Sequence, residues 1–492
     1  MIESGIAGAA DLLRQAREVF HGDPMALAEL DELDQRLAGP LRIAVAGMVK
    51  AGKSTLLNAI IGEEIAPTDA GECTRVVTWY RYGHAPRITL HPFTGGPQAL
   101  PVNREDGRLV FSLGEFQAED VEKLVVDWPS AGLRDLTLID TPGIASLSSD
   151  VSARSAAFLL PEDAPTAADA VVYLMRHLHA SDVRFLESFK DTAAGKSGTV
   201  NALAVLSRAD EIGAGRIDSL ISAAVIADRY SQDGNLKPLA LGVVPVAGLL
   251  AQSSRTMRQA DVDALTLLAG MERSQRERMM LSVDRFVRST GPDGLAQELK
   301  ASLVQRFGLF GIRLAVALIR GGTGNPTELA HELARRSGLG RLQETIASLF
   351  QTRADALKAR AVVVGLESLV RAAQPSQAAL LETALEELLA GAHEFRELRL
   401  LGQLRTGGVA LPPGQAEEAE RLVGGKGNQP VRRLGLPPDA GPAEIAEAAR
   451  NALDRWRQIA ENPMLLESSA VEACRMVLRS CEGVLAAMPV VR

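Results

Sequence analysis

The run Gly47-Met48-Val49-Lys50-Ala51-Gly52-Lys53-Ser54 fits G-x-x-x-x-G-K-S, a pattern that binds phosphate because its glycines let backbone N–H groups wrap a β-phosphate closely. In that chemistry Lys53 reaches the β- and γ-oxygens, Ser54 ligates Mg2+, and the helix opening at Thr55 turns its positive end toward the anion. A bare glycine turn is the alternative, but an apolar run precedes the motif and a helical one follows it. Leu136-Thr137-Leu138-Ile139-Asp140 leads into Thr141-Pro142-Gly143, a D-x-x-G in which Asp140 holds the Mg2+ water shell and the Gly143 N–H senses a γ-phosphate. Asp-Thr-Pro-Gly also makes an ordinary β-turn; its place at a strand tip downstream of a phosphate loop favours function.

A base reader is expected on a later strand. Ser207-Arg208-Ala209-Asp210 stands where [N/T]-K-x-D would, with Ser for the amide or Thr and Arg for Lys. Asp210 can accept from guanine N1–H and N2–H, which adenine does not offer, while the stem of Arg208 lies over the ring. An exposed Arg/Asp loop is the other reading. Ala247-Gly248, after the next strand, could add backbone contacts to the base. Thr74, with Thr68 as competitor, could complete Mg2+ coordination while the γ-phosphate is present.

These pieces need a sheet to align them. Residues 41–46 are a short apolar run of the buried parallel type, after Pro40 stops a helix. Further strands are expected at 74–82, 87–93, 121–128, 133–140, 168–176, 200–207 and 242–246, with helices at 181–191 and 216–230, the alternation of an α/β fold. Residues 2–38 read as two short helices broken at Gly22-Asp23-Pro24. After about residue 250 the strand signal ends. Apolar stripes predict two long antiparallel helices, 341–373 and 376–404, joined at Pro375.

At 492 residues the chain is too long for one core, and about 150 residues per domain allows two to four units. With 46% hydrophobic residues and 44 dispersed glycines, collagen-like and disordered classes are excluded. Cys73, Cys474 and Cys481 form neither a disulfide framework nor a zinc spacing, which suits a reducing compartment. The first ten residues carry Glu3 and no basic leader, and no run of about 18 uncharged apolar residues occurs, so neither secretion nor a membrane span is expected. Net charge −8 argues against nucleic acid. Residues 1–250 hold 22 basic and 33 acidic side chains, residues 251–492 hold 31 and 28, so the halves meet different surroundings. Nine of the 53 basic residues are Lys, and two of these, Lys50 and Lys53, lie in the phosphate loop.

Together the motifs resemble the bacterial dynamin-like GTPases. The likeness is strongest in residues 46–58, Ile65-Ala66-Pro67-Thr68-Asp69, residues 207–218 and Phe307-Gly308-Leu309-Phe310-Gly311-Ile312-Arg313, which look like the isoniazid-inducible dynamin-like proteins of mycobacteria and related actinobacteria. The resemblance spans most of the chain. It implies a dynamin-type G-domain with a central mixed sheet flanked by helices, and an elongated helical-bundle neck and trunk. The boundaries expected are N-terminal neck helices at 1–38, a GTPase domain at 39–255, a neck and trunk at 256–440, and C-terminal helices returning to the neck at 441–492, with 1–38 folding onto those C-terminal helices. It further implies GTP hydrolysis to GDP with Mg2+, G-domain self-association, a paralogous dynamin-like partner, and a peripheral place at the inner face of the cell membrane on anionic phospholipid.

Two departures stand out. Many dynamins carry Gln at the third variable position of the loop; here it is Val49, and Ile144 stands where Ras-like enzymes place Gln. Lys50 occupies the position at which related GTPases carry an arginine finger, so a cation there can stabilise phosphoryl charge once G-domains pair; a solvent-facing Lys50 is the alternative. In the helical half, Arg335, Arg336, Leu339 and Arg341 are expected to approach Arg405 and a loop carrying Val409 and Leu411, a basic rim around an apolar tip that suits an anionic bilayer. An ordinary polar helix end is the competing reading, and 307–319 reads as a buried trunk helix or hinge. Two other functions stay open: a weakly catalytic GTP-dependent scaffold, and a P-loop ATPase should Asp210 not read guanine.

Overall fold

In the computed structural model, residues 5–67, 75–105, 108–110, 112–142, 167–188, 200–291, 295–375, 377–461 and 467–488 are described. Among these residues eleven strands occur in chain order: β1 (Leu41–Gly47), β2 (Thr78–Tyr82), β3 (Arg87–Pro92), β4 (Gln98–Leu100), β5 (Asn103–Glu105), β6 (Arg108–Val110), β7 (Val121–Trp128), β8 (Leu136–Asp140), β9 (Ala170–Met175), β10 (Ala202–Ser207) and β11 (Val243–Val246). Nine of them make one sheet in the order β11-β10-β9-β1-β8-β2-β7-β3-β4, and β5 with β6 forms a separate hairpin.

β1 is central because both its faces are apolar and covered. It runs parallel to β8, with Val45 opposite Asp140, and parallel to β9, with Gly47 opposite Leu174. β9, β10 and β11 continue in parallel, so the phosphate loop, Asp140 and the Ser207 loop all leave the same sheet edge. Beyond β8 the sheet is mixed: β2 is antiparallel to β8 but parallel to β7, and β3 is antiparallel to β7. Every strand expected from the sequence is in this sheet. β4 and the β5–β6 hairpin were not legible, because their residues are mostly exposed and carry little apolar signal.

The helices Gly5–Val19 and Pro24–Ala38 are separated by a capped turn, in which the Asp23 carboxylate accepts from Met25 N at 3.0 Å and Ala26 N at 3.1 Å. They pack on 354–395, not on 441–492 as the sequence suggested. Gly365 sets that crossing: a Cβ there would lie 2.6 Å from Leu33 Cδ2. The C-terminal helices Pro442–Ala460 and Ser468–Ala486 pair with each other instead, burying Trp456 and Val477.

Each of the two expected long helices is broken. The first becomes Leu339–Leu349, a 3-10 turn Gln351–Arg353, and Ala354–Ala373. Arg353 is buried there, its Nη2 donating to Val423 O at 2.8 Å. The second divides into Ala378–Gly391 and His393–Arg405 at the extended residue Ala392. The lipid-facing tip expected from them is absent. Leu339 is 1% exposed, because helix Leu339–Leu349 abuts the end of β11, while Val409 is 7% and Arg405 8% exposed. Arg405 Nη2 donates to Lys237 O at 2.5 Å, and the guanidinium pairs with Glu420. Arg335 and Arg336 are exposed and paired with Glu332 at 2.9 and 3.3 Å; Arg341 is exposed and Leu411 half-buried. At this seam Gly338 (φ 85) leaves no room for a side chain, since its Cβ would lie 2.3 Å from Pro245 O.

Other seams between sheet and helices use buried charge. Arg36 Nε and Nη2 donate to Asp169 Oδ1 at 2.8 and 2.6 Å, and Asp169 Oδ2 accepts from Arg42 N at 2.8 Å. Arg306 lies 3.4 Å from Glu64 and 3.0 Å from Asp261, and Lys358 Nζ donates to Gly39 O at 3.2 Å. Arg306 belongs to helix Gln297–Arg320, which among the described residues is long and apolar enough to cross a bilayer. Half of its apolar window is buried within the protein, and Gly308 (φ 65, ψ 169) interrupts it. The regular part beyond that break, about a dozen residues or roughly 18 Å, falls short of a ~30 Å hydrocarbon core.

Candidate nucleotide site

β1 enters the loop through Gly47 (φ 149), where a Cβ would meet Leu174 O at 2.4 Å, so only glycine keeps the two strands in register. The loop turns through Lys50 (φ 63) and Gly52 (φ 96) into helix Lys53–Ile61. A left-handed lysine is unusual. Here its carbonyl accepts from Arg208 Nη2 at 3.1 Å, which joins the phosphate loop to the segment after β10. Val49 is exposed and Ala51 buried.

Lys53 Nζ lies 3.4 Å from Gly47 O. Burial lowers its pKa, opposed by the nearby Asp140. Ser54 Oγ donates to Asp140 Oδ2 at 3.3 Å, while Asp140 Oδ1 is buried without a hydrogen bond among the described residues. Burial pushes the Asp140 carboxyl up to about 6, although Lys53 and Ser54 pull the other way. A buried, half-satisfied carboxylate beside a hydroxyl, next to a phosphate cradle, is the hard-oxygen donor set that Mg2+ takes when phosphate and water complete its shell. The residues therefore fit the cation. Thr68, Thr74, Gly143 and Ile144 lie outside the described residues.

At the other end, Arg208 (φ 52) is held by Glu211, with Nη1 to Oε1 at 2.7 Å, and Glu211 also accepts from Arg176 at 2.8 Å. Asp210 follows in a 3-10 turn, Ala209–Gly215, and burial raises its pKa. A cavity between these loops is lined by Gly52, Thr55, Arg208, Asp210, Gly248 and Leu249, among others. Phosphate-loop residues and Asp210 thus share one pocket. Two expected base contacts are engaged elsewhere: Ser207 Oγ donates to Met175 O at 3.1 Å, and Ala247 N donates to Ser337 O at 2.9 Å. Gly248 does face the pocket, its Cβ position 3.6 Å from Thr55 Cγ2. Sequence reasoning passed over Glu211 and the apolar floor of Leu174, Val205 and Val246; a Glu three residues after Arg208 was the available sign of the first.

A site of this kind, on a sheet of this order, is that of a P-loop nucleotide-binding protein. Residues 43–200 match the Dynamin family. The isoniazid-induced protein IniC of Mycobacterium tuberculosis (strain ATCC 25618 / H37Rv) is 42% identical over 477 residues, 97% of this chain and 95% of that protein. Isoniazid-induced protein IniA of the same strain is 34% identical over 122 residues, 23% of this chain and 19% of that protein. The bacterial dynamin-like protein of Nostoc punctiforme is 32% identical over 118 residues, 22% of this chain and 17% of that protein. The chain belongs to the bacterial dynamin-like proteins of the dynamin family.

Proposed function

We propose that the protein binds and hydrolyses GTP with Mg2+, and that its G-domains pair, with one another or with a paralogous dynamin-like chain, to drive work on anionic phospholipid at the inner face of the cell membrane. The observation carrying the nucleotide half is the single pocket that joins the phosphate loop to Asp210 and Arg208. Ser54 and Asp140 would hold Mg2+, with Thr74 as a further ligand, and the cation when bound would supply Lewis-acid stabilisation of the phosphate oxygens. Lys53 neutralises the same oxygens, and Asp210 selects guanine. The membrane half is supported by family membership.

The guanine assignment predicts a specificity change. Asp210→Asn replaces an acceptor by a donor opposite the base N2–H, so GTP affinity falls by about 10- to 100-fold, whereas XTP, which offers a carbonyl there, binds better than to wild type. Competition against a fluorescent nucleotide reads both; ATP displacing GTP equally well from wild type refutes guanine selection.

The overall reading is tested by GTP turnover of the full chain with and without anionic liposomes, alongside Lys50→Ala. Turnover that rises with liposomes, and that Lys50→Ala lowers only under pairing conditions, is expected. Absence of both turnover and lipid binding leaves the second reading, a GTP-dependent scaffold, which the exposed, apolar Val49 at the water-orienting position favours.

A further inference from the structure

Among the described residues three that are not glycine have a left-handed backbone: Lys50 (φ 63), Arg208 (φ 52) and Gln374 (φ 43). Gln374 closes helix Ala354–Ala373, where such a conformation is common. The other two belong to the loops bordering the nucleotide pocket, and they are bonded to each other, Arg208 Nη2 donating to Lys50 O at 3.1 Å. A side-chain-bearing residue stays left-handed only when its surroundings hold it there. Arg208 is itself gripped by Glu211, whose Oε1 accepts from Arg208 Nη1 at 2.7 Å while its Oε2 accepts from Arg176 Nη2 at 2.8 Å. Lys50, Arg176 and Arg208 follow β1, β9 and β10, which are neighbours in the sheet and run parallel. The contacts therefore run in one line across the sheet edge: Arg176, Glu211, Arg208, then the Lys50 carbonyl.

An exposed ion pair contributes little by itself, and a solvated charge cluster is the plain reading of Arg176, Glu211 and Arg208, all of them exposed. What sets this cluster apart is that it ends on two left-handed residues. Pinning the Lys50 carbonyl fixes the direction of its Cα–Cβ bond, and Arg208 can pin it only while its guanidinium is kept in one place. We propose that Glu211 is a positioning residue that joins base recognition to the phosphate loop. By holding Arg208 it sets together the stem that covers the base and the turn of the loop at Lys50. The proposal rests on the nucleotide reading above and deepens it. A role through charge alone has the opposite sign. Burial raises the pKa of the Asp210 carboxyl, and the charge of Glu211 pushes the same way while Arg208 opposes it. Removing that charge would leave Asp210 more readily ionised and guanine more tightly bound, whereas loss of positioning loosens the nucleotide.

Release of a ribose-labelled fluorescent GDP from the full chain tests this without any turnover. Glu211→Ala should release it about five- to tenfold faster than wild type, and Arg176→Ala about two- to threefold faster. Glu211→Gln, which keeps one acceptor, should fall between wild type and Glu211→Ala. Glycine takes a left-handed turn without steric cost, so in a Lys50→Gly background Glu211→Ala should change the rate by less than about twofold. A role in folding, or through charge on Asp210, would leave its effect undiminished in that background. Release from Glu211→Ala that is unchanged or slower, or a full effect in the Lys50→Gly background, would each overturn the proposal and leave guanine-nucleotide binding intact. A wild type that binds no guanine nucleotide would overturn the nucleotide reading as well.

Discussion

Lys53→Ala is expected to lower GTP affinity by at least about 100-fold and to remove measurable turnover, with the fold retained. The ammonium lies 3.4 Å from Gly47 O, at the throat of the loop, and burial has already lowered its pKa, so it meets a phosphate partly stripped of water. Charge-assisted hydrogen bonds contribute about 1.5–3 kcal/mol each, and losing two of them, to the β- and γ-oxygens, amounts to roughly 100- to 20,000-fold. Lys53→Arg should not rescue binding, since a planar fork cannot replace a compact point charge inside a closed loop. The fold survives because Asp140, the remaining charge, has a carboxyl already raised to about 6 and takes up a proton more readily once the cation is gone. Titration with a fluorescent GTP analogue, with circular dichroism as the fold control, gives the answer; binding within a few-fold of wild type would refute Lys53 as the phosphate ligand.

The second large effect lies far from the nucleotide. Glu397 accepts from Arg433 Nη1 at 2.5 Å and Nη2 at 2.9 Å, and from Ser480 Oγ at 2.6 Å, with His393 Nε2 at 3.3 Å. Glu397, Arg433 and Ser480 are buried, and they come from helices His393–Arg405, Pro430–Leu434 and Ser468–Ala486. Arg353 is buried close by, its pKa lowered by burial to about 10. Glu397→Ala leaves the buried Arg433 guanidinium without its carboxylate while it still feels the charge of Arg353, which costs about 3–5 kcal/mol by comparison with other broken buried pairs. Burial alone would raise the Glu397 carboxyl, but hydrogen bonds from Arg433 and His393 hold it well below the usual carboxylate range. Its contribution is therefore present above its ordinary value of 4.5 and is lost as pH falls from there. Thermal melts should show a large gap between wild type and Glu397→Ala at pH 7 that narrows on acidification below about 4.5. A variant as stable as wild type at neutral pH would refute the assignment.

What could be read from the sequence, and what could not, divides along physical lines. β1, β9 and β10 were legible because strands buried on both faces are written as unbroken apolar runs. The phosphate loop was legible because its requirement is local: glycines at fixed offsets, then Lys53 and Ser54. The meeting of Arg208 with the Lys50 carbonyl was not, since it joins residues 158 positions apart. Nor were the breaks at Arg353 and Ala392, which no proline announces and which follow from tertiary contacts. Arg405 misled most plainly. An arginine at a helix end is normally solvated, yet this one is buried against backbone carbonyls of residues 237 and 240, and Val409 in the loop after it packs into the core, so neither the membrane tip nor the ordinary polar helix end that the sequence allows is formed there.

Those seams have a consequence for how the molecule comes apart. Arg36, Arg306, Lys358 and Arg405 all belong to helices outside the sheet, and each ends on a carboxylate or carbonyl of the segment from 39 to 261. Cutting the chain near residue 255 would take Arg306 from the buried Glu64, which keeps Arg108, and would take Lys358 and Arg405 from the carbonyls of Gly39, Lys237 and Ala240, so the nucleotide-binding portion lacks the autonomy its α/β pattern suggests. Calorimetry should then record one merged heat-absorption peak for both halves, with guanine nucleotide shifting the whole peak upward rather than splitting it.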